Sequence, residues 1–370
     1  MRRFLVWLAD AATGRESKPF PSEVETHQEW LAAWLAGNDL GPLAYQLLRR
    51  GNTRLASCLR VVAMATAARN LSHFEILDRV RRTLNAARLP VVLLKGAALA
   101  DVTYGAYAMR PMSDVDIWVR DCDMAKAVAL LKENGFCRAP SNPDRPPALQ
   151  RHAGGEIQFR PQDGSHGLIE LHWSPFPGWW NRLAANVDEH AVWERAEAFG
   201  NGRHVLRLSA EDSVLQLAFH VAVNHFGEPA LRGLMDIALT ARTREIDWLL
   251  VAARARQWSL ATLTWTVLDL VGRLFDAPGV DVALDALRPW RPRRALVEHF
   301  VSSASVLDGT RRAEQRARFL LLLVLVDHYP DMGRLVWRTL WPQREWLSAR
   351  YRGSAGHFRH LWLLLRHGEV

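Results

Sequence analysis

Asp114 and Asp116 stand one residue apart in Ser113-Asp114-Val115-Asp116, at the head of the apolar run Ile117-Trp118-Val119. Side chains alternate along a strand, so two acids at this spacing share a face. Two carboxylates on one face repel unless a cation sits between them. Magnesium takes oxygen ligands and is commonly held by one or two carboxylates together with substrate phosphates. Upstream, the apolar run Val91–Leu94 ends in Lys95-Gly96. A lysine ammonium is a point-charge partner for phosphate, and a glycine at a strand-to-helix junction lets backbone N–H groups approach one. Lys95 would also suit a strand end as a residue with a buried stem and a wet head. Arg110, just before Pro111, suits a phosphate clamp or a turn, and Ser113 is a further candidate to bind the nucleotide.

Glu170 sits between Ile169 and Leu171 in a second apolar run, and His172 shares its face by the same alternation. An acid there is costly unless it is paired, metal-bound or turned to solvent on an edge strand. Together these residues predict a two-metal phosphoryl-transfer site. Asp114 and Asp116 would hold Mg²⁺ (or Mn²⁺) against the phosphates of an NTP. Glu170 would complete the second metal site or deprotonate the acceptor. His172 and His220 are candidates to support the acids from behind. Asp236, inside the apolar stretch "LRGLMDIALT", needs a partner such as His220 or an arginine. His220 and Asn224 share a helical face, with His225 about 140° further round.

The elements that position these residues divide the chain into three parts. Residues 1–88 are helical: "PSEVETHQEWLAAWLAG" has Ser22 as N-cap and Glu25 three residues on, and a long amphipathic helix runs from Asn52 to Arg88. Residues 89–175 read as an α/β core. Val91–Leu94 and Val115–Val119 are strands, Gly96 to about Tyr107 a helix, and "DMAKAVALLKENGF" a helix closed by Gly135. Glu156–Arg160 and Leu168–Trp173 form a hairpin. Residues 176–370 turn helical again, with Ser209 capping a helix that has Asp212 at its third position. The expected class is α+β, a small mixed sheet between helical flanks. In the tail, the Trp residues are expected to pack inward and the Arg residues to face water. Stacking on bases or lying on a membrane are the alternatives.

With these residues in place, the segment resembles the nucleotidyltransferase fold of the DNA polymerase β type. More narrowly, "LLKGAAL", "RPMSDVDIWV" and "IELHW" resemble the uncharacterised bacterial nucleotidyltransferase family NTP_transf_5, with looser similarity in "HVAVNHF", "LRGLMDIAL", "IDW" and "WPQREWLSARY". The resemblance implies an αβ core, two metal-binding aspartates and an NTP donor whose NMP passes to an acceptor. By position, Gly96 matches the phosphate-loop glycine, Asp114 and Asp116 the paired acids, and Glu170 the third acid. One departure stands out. The usual Gly-Ser is Gly96-Ala97 here, so a hydroxyl contact to phosphate is missing, and Lys95 is the residue placed to compensate. The acceptor is open: a small molecule, a peptide or a protein hydroxyl. The alternatives are a catalytically inactive nucleotide-binding protein, or a toxin-like enzyme that modifies RNA or tRNA.

Composition narrows this further. The 370 residues carry 47 Lys+Arg against 39 Asp+Glu, a net charge of +8. That permits an anionic partner, nucleic acid included, without requiring one. Cys58, Cys122 and Cys137 form no CxxC pair, which argues against a disulfide framework or a cysteine zinc site and suits a reducing cytoplasm. The apolar run in "MRRFLVWLAD" breaks at Asp10, too early for a signal peptide. "FLLLLVLV", Phe319 to Val326, is far short of the ~20 residues that span a bilayer and reads as a buried helix.

Overall fold

The computed structural model describes residues 1–15, 20–21, 27–51, 53–100, 102–140, 149–150, 155–200, 202–225, 230–308, 315–351 and 356–367. The expected cap Ser22 and its partner Glu25 lie outside these residues. The described residues open with α1 (Arg2–Ala12), α2 (Gln28–Gly37) and α3 (Gly41–Leu48). The long helix α4 (Arg54–Ala86) follows, where Thr53 Oγ1 accepts the Ala56 N–H.

Among the described residues, seven strands then form one mixed sheet. They are β1 (Val91–Leu93), β2 (Val115–Trp118), β3 (Phe136–Arg138), β4 (Glu156–Pro161), β5 (Ile169–His172), β6 (Glu197–Phe199) and β7 (Gly202–Arg207). The spatial order is β3-β4-β5-β2-β1-β7-β6. The central pair β2–β5 is parallel with Asp116 opposite Glu170 and Trp118 opposite His172, while β1 runs antiparallel to β2 and parallel to β7. Helices α5 (Lys95–Leu99) and α6 (Asp121–Glu133) connect the strands.

Alternation sorts the strand residues into two faces. Val91, Leu93, Val115, Ile117, Ile157, Phe159, Ile169 and Leu171 point to one side and form a core with Ile76, Leu77 and Val80 of α4 and Met124, Ala127 and Leu131 of α6. The other side carries Val92 and Trp118, packed into a second core built by the C-terminal helices. Asp116, Glu170, His172 and Glu156 fall on this second side, since Asp116 lies opposite Glu170 and Glu156 opposite His172.

The C-terminal helices are α7 (Trp179–Ala184), α8 (Glu189–Glu194), α9 (Ala210–His220), α10 (Leu231–Thr243), α11 (Trp248–Gln257), α12 (Ala261–Phe275), α13 (Val280–Leu287), α14 (Arg291–Phe300), α15 (Ser303–Asp308), α16 (Gln315–Val324), α17 (Tyr329–Leu340), α18 (Arg344–Tyr351) and α19 (His357–His367). Ser209 caps α9 by accepting the Asp212 N–H at 3.2 Å, as expected.

Three features depart from the sequence reading. The helix after Lys95 stops at Leu99 and gives way to turns, because Tyr104 is drawn into the core to donate to Asp236 at 2.7 Å and Gly105 adopts φ +71°. The β6–β7 hairpin adds two strands beyond Trp173. β6 is three residues long, too short to show a period-2 signal, and Gly200 at φ +65° lies in the connection. The third departure is in the tail: Trp337 is 59% exposed, Trp362 53% and Phe358 83%. Helix α17 buries only Leu335 fully, so its opposite side is left outward.

Candidate active site

Strand β2 delivers Asp116 to the centre of the sheet, and the β2–β5 register places Glu170 directly across from it. Asp116 Oδ1 accepts two hydrogen bonds, from Lys95 Nζ at 2.6 Å and from His172 Nε2 at 2.8 Å. Glu170 Oε1 accepts from Gln158 Nε2 of β4 at 2.7 Å, and its other oxygen lies 3.7 Å from His172 Nε2. Asp116, Glu170 and His172 each offer a ligand atom within 4.8 Å of the others, the one such group of three among the described residues. Asp114 lies outside that group. It is half-buried at the entry to β2 and accepts from Ser113 Oγ at 2.6 Å.

Lys95 owes its position to an uncommon backbone. Its φ is +45°, a region that side-chain-bearing residues seldom adopt and that costs free energy. That turn ends β1 and aims the ammonium at Asp116. Gly96 is required by packing: a Cβ there would come within 2.5 Å of Arg110 Nη1 and 2.7 Å of Met112 Sδ. Ala97 is buried in the apolar core beside Val91 and Leu93. A serine hydroxyl at that position would lose water and gain no evident partner.

Charge explains the proton distribution. Burial opposes ionisation of Asp116, but Lys95 and the His172 hydrogen bond overcome it and hold the carboxyl well below the usual range. Burial, then Asp116, raises Asp114. Glu170 is pushed up to about 9, first by burial, then by Glu156, Asp116 and Asp114. Burial alone would lower Lys95, yet Asp116 and Glu170 keep it raised. Three carboxylates thus act on one lysine, with Glu156 behind Glu170, and the excess negative charge is relieved by leaving a proton on Glu170.

Arg110, beside Gly96, is held by an acid outside the cluster. It is buried and grips Asp236 of α10 with both ends of its guanidinium, Nε to Oδ1 at 2.8 Å and Nη2 to Oδ2 at 2.7 Å. Tyr104 completes this cluster. Asp236 therefore pairs with an arginine, and His220 has other partners. His220 Nδ1 accepts from Asn224 at 2.9 Å, and its Nε2 faces His225 Nε2 at 3.0 Å. The α-helical angle expected for His225 does not apply, because Val221–His225 is a π-turn, whose wider winding brings residues five apart together.

The sequence reading missed Asn70. From the buried face of α4 its side-chain amide donates to the carbonyls of Tyr107 and Arg110 at 2.5 and 2.7 Å, and its oxygen accepts the Met112 N–H at 3.3 Å. One side chain thereby fixes the loop that leads into Ser113-Asp114. The available signal was a row of polar residues, Thr66, Asn70 and His73, on the face of α4 that is otherwise apolar.

The sequence profile of the uncharacterised nucleotidyltransferases, NTP_transf_5, matches residues 25–276. The chain belongs to this family. The matched segment of this nucleotidyltransferase includes every strand among the described residues and every acid of the cluster, together with the Arg110–Asp236 pair. The solution structure of the antibiotic-resistance factor ANT(2'')-Ia is similar at 16% identity over 61% of this chain and 94% of that one, with a TM-score of 0.32. No curated protein matches the chain. Among the described residues, no helix of the nucleotidyltransferase is long and apolar enough to cross a membrane.

Proposed function

We propose that this nucleotidyltransferase moves the NMP of an NTP onto a hydroxyl of a small molecule, peptide or protein, with Mg²⁺ (or Mn²⁺) held by Asp114, Asp116 and Glu170. The observation that carries this reading is the acid cluster itself. Asp114, Asp116 and Glu170 gather around a single buried lysine, and burial with the neighbouring acids pushes Glu170 up to about 9. Such a donor set suits a hard divalent cation, which favours carboxylate oxygen and would relieve the repulsion. When bound, the metal supplies electrostatic stabilisation of the phosphates and of the attacking oxygen.

The remaining work falls to the chain. Asp116 stays ionised and is fixed in orientation by Lys95 and His172. Lys95, bonded to Asp116 at 2.6 Å, would donate to a phosphate oxygen of the NTP. Ser113 orients Asp114. In each turnover the acceptor oxygen forms a bond to the α-phosphorus, the bond from that phosphorus to the pyrophosphate oxygen breaks, and the hydroxyl proton passes to a carboxylate. Glu170, on the same face and without a lysine of its own, is the group assigned to take it, after a bound cation would have displaced the proton it holds in the free protein. Arg110 acts through packing: its pair with Asp236 holds the loop that carries the acids against α10.

The absent Gly-Ser hydroxyl does not favour an inactive protein, since the Ala97 side chain faces the core. The direct test uses NTP labelled at the α-phosphate, with and without Mg²⁺, offered to fractions of a cell lysate. Transfer of label that requires Mg²⁺ and disappears in Asp116→Ala supports the reading. Failure to bind any NTP with Mg²⁺, or transfer that survives Asp116→Ala, refutes it.

A further inference from the structure

Residues 277–370 lie beyond the segment matched by the family. They hold 15 arginines, no lysine and 9 acidic residues, so six of the eight net positive charges fall in the last 94 residues. The same stretch exposes large aromatic and apolar side chains. Tyr329, Trp337, Leu340 and Trp341 recur at helical spacing along one side of α17 and its end, and all are exposed. The opposite side of α17 buries Leu335, and Arg334 reaches the Leu183 carbonyl of α7 at 3.5 Å. A helix apolar on both sides needs a cover for each. The aromatic row continues onto α19: Trp341 stacks on His357 at 4.1 Å and meets Phe358 edge-on at 6.5 Å, and Trp362 lies one turn further. Arg338, Arg344, Arg359 and Arg366 are exposed around this row.

We infer that α17 and α19 form a docking surface for an anionic lipid bilayer. Basic helices that present Trp, Phe and Leu on one side lie in the membrane interface, where apolar area and attraction to anionic headgroups act together. Trp and Tyr favour that depth because their rings are amphipathic. Two other covers fit less well. Base stacking needs free ring faces. Here His357 stacks on Trp341 at 4.1 Å and Arg366 sits 4.9 Å over Trp362, so two of the rings already have a face covered. A second copy of the chain would bring two strongly positive surfaces together. The inference is independent of the transfer chemistry, because none of these residues belongs to the acid cluster.

The test is sedimentation of the full chain with vesicles of phosphatidylcholine, with or without about 30 mol% phosphatidylglycerol. Binding is expected with the anionic vesicles and should fall about tenfold or more with neutral ones, or in about 0.5 M salt. Phe358→Ser with Trp362→Ser should cut binding about tenfold, with the thermal transition and Mg²⁺-dependent NTP binding unchanged. Because both side chains are exposed, loss of folding is not expected, and Arg359→Glu with Arg366→Glu tests the same surface by charge. The inference is overturned if the chain ignores anionic vesicles, or if both double variants bind them as the wild type does. It is also overturned if a single-stranded RNA oligonucleotide, or a dimer buried at α17, accounts for the surface with no vesicle binding.

Discussion

The two faces of the central sheet are made by the same strands and do opposite things. On β2, Val115 and Ile117 go to the α4/α6 side, and Asp116 goes to the other. On β5, Ile169 and Leu171 alternate with Glu170 and His172 in the same way. The apolar face stabilises the fold by taking hydrocarbon out of water. The acid face gathers like charges that burial penalises, and it is held by Lys95, His172 and Gln158. Stability and chemistry are thus separated by one residue of register, and substitutions on the two faces should separate them too.

The largest effect is expected where the faces cannot be separated. Asp116→Ala removes the central acid and leaves Lys95 buried without its partner. Transfer should fall by about 10³-fold or more in a label-transfer assay. The protein should also lose about 3–5 kcal/mol in denaturant unfolding, as when one member of a buried pair is deleted. Asp236→Ala should cost a similar ~3–5 kcal/mol by leaving Arg110 unpaired, and it touches no acid of the cluster. If stability is unchanged, the Arg110–Asp236 strut is not structural. Ile117→Ala, on the apolar face, should lower stability by ~2–5 kcal/mol and leave turnover per folded molecule near wild type.

Glu170→Gln should do the reverse. Below about pH 9 the free enzyme already carries a proton on Glu170, so Gln imitates its resting state and the unfolding midpoint should hold or rise. Transfer should nonetheless drop by about 10²-fold. A large loss of stability would show that Glu170 is a structural acid. The smallest effect concerns pH. Burial and Arg232 hold His225 down at about 4, below its ordinary value of 6.5. The unfolded chain therefore takes up that proton first. Stability from this site is present above pH 6.5 and drains as pH falls toward about 4. His225→Leu should flatten the denaturation midpoint over that window, and an unchanged slope would sink the assignment.

The acid face was legible because it obeys a local rule. Period-2 alternation placed Asp114, Asp116, Glu170 and His172 on one side, and Ser209 announced its helix by an equally local cap. What escaped was set over long sequence distances. The Arg110–Asp236 pair spans 126 residues, and the grip of Asn70 on the loop spans about 40. Neither leaves a mark in the neighbouring residues. The short strand β6 depends on pairing with β7 and on the edge that β1 offers to β7. His225 was misplaced by assuming an α-helical step through a π-turn. The tail followed the usual rule that Trp is buried, but α17 has only one side packed against the body, so Trp337 faces out.

The central claim is that the Asp116–Glu170 face is a cation-dependent nucleotide site. Calorimetric titration of the full chain with a non-hydrolysable NTP, with Mg²⁺ and then with chelator, tests it most directly. The account predicts saturable binding that requires Mg²⁺, is lost in Asp116→Asn and is retained in Ile117→Val. Equal binding with and without Mg²⁺, or undiminished binding by Asp116→Asn, would contradict it.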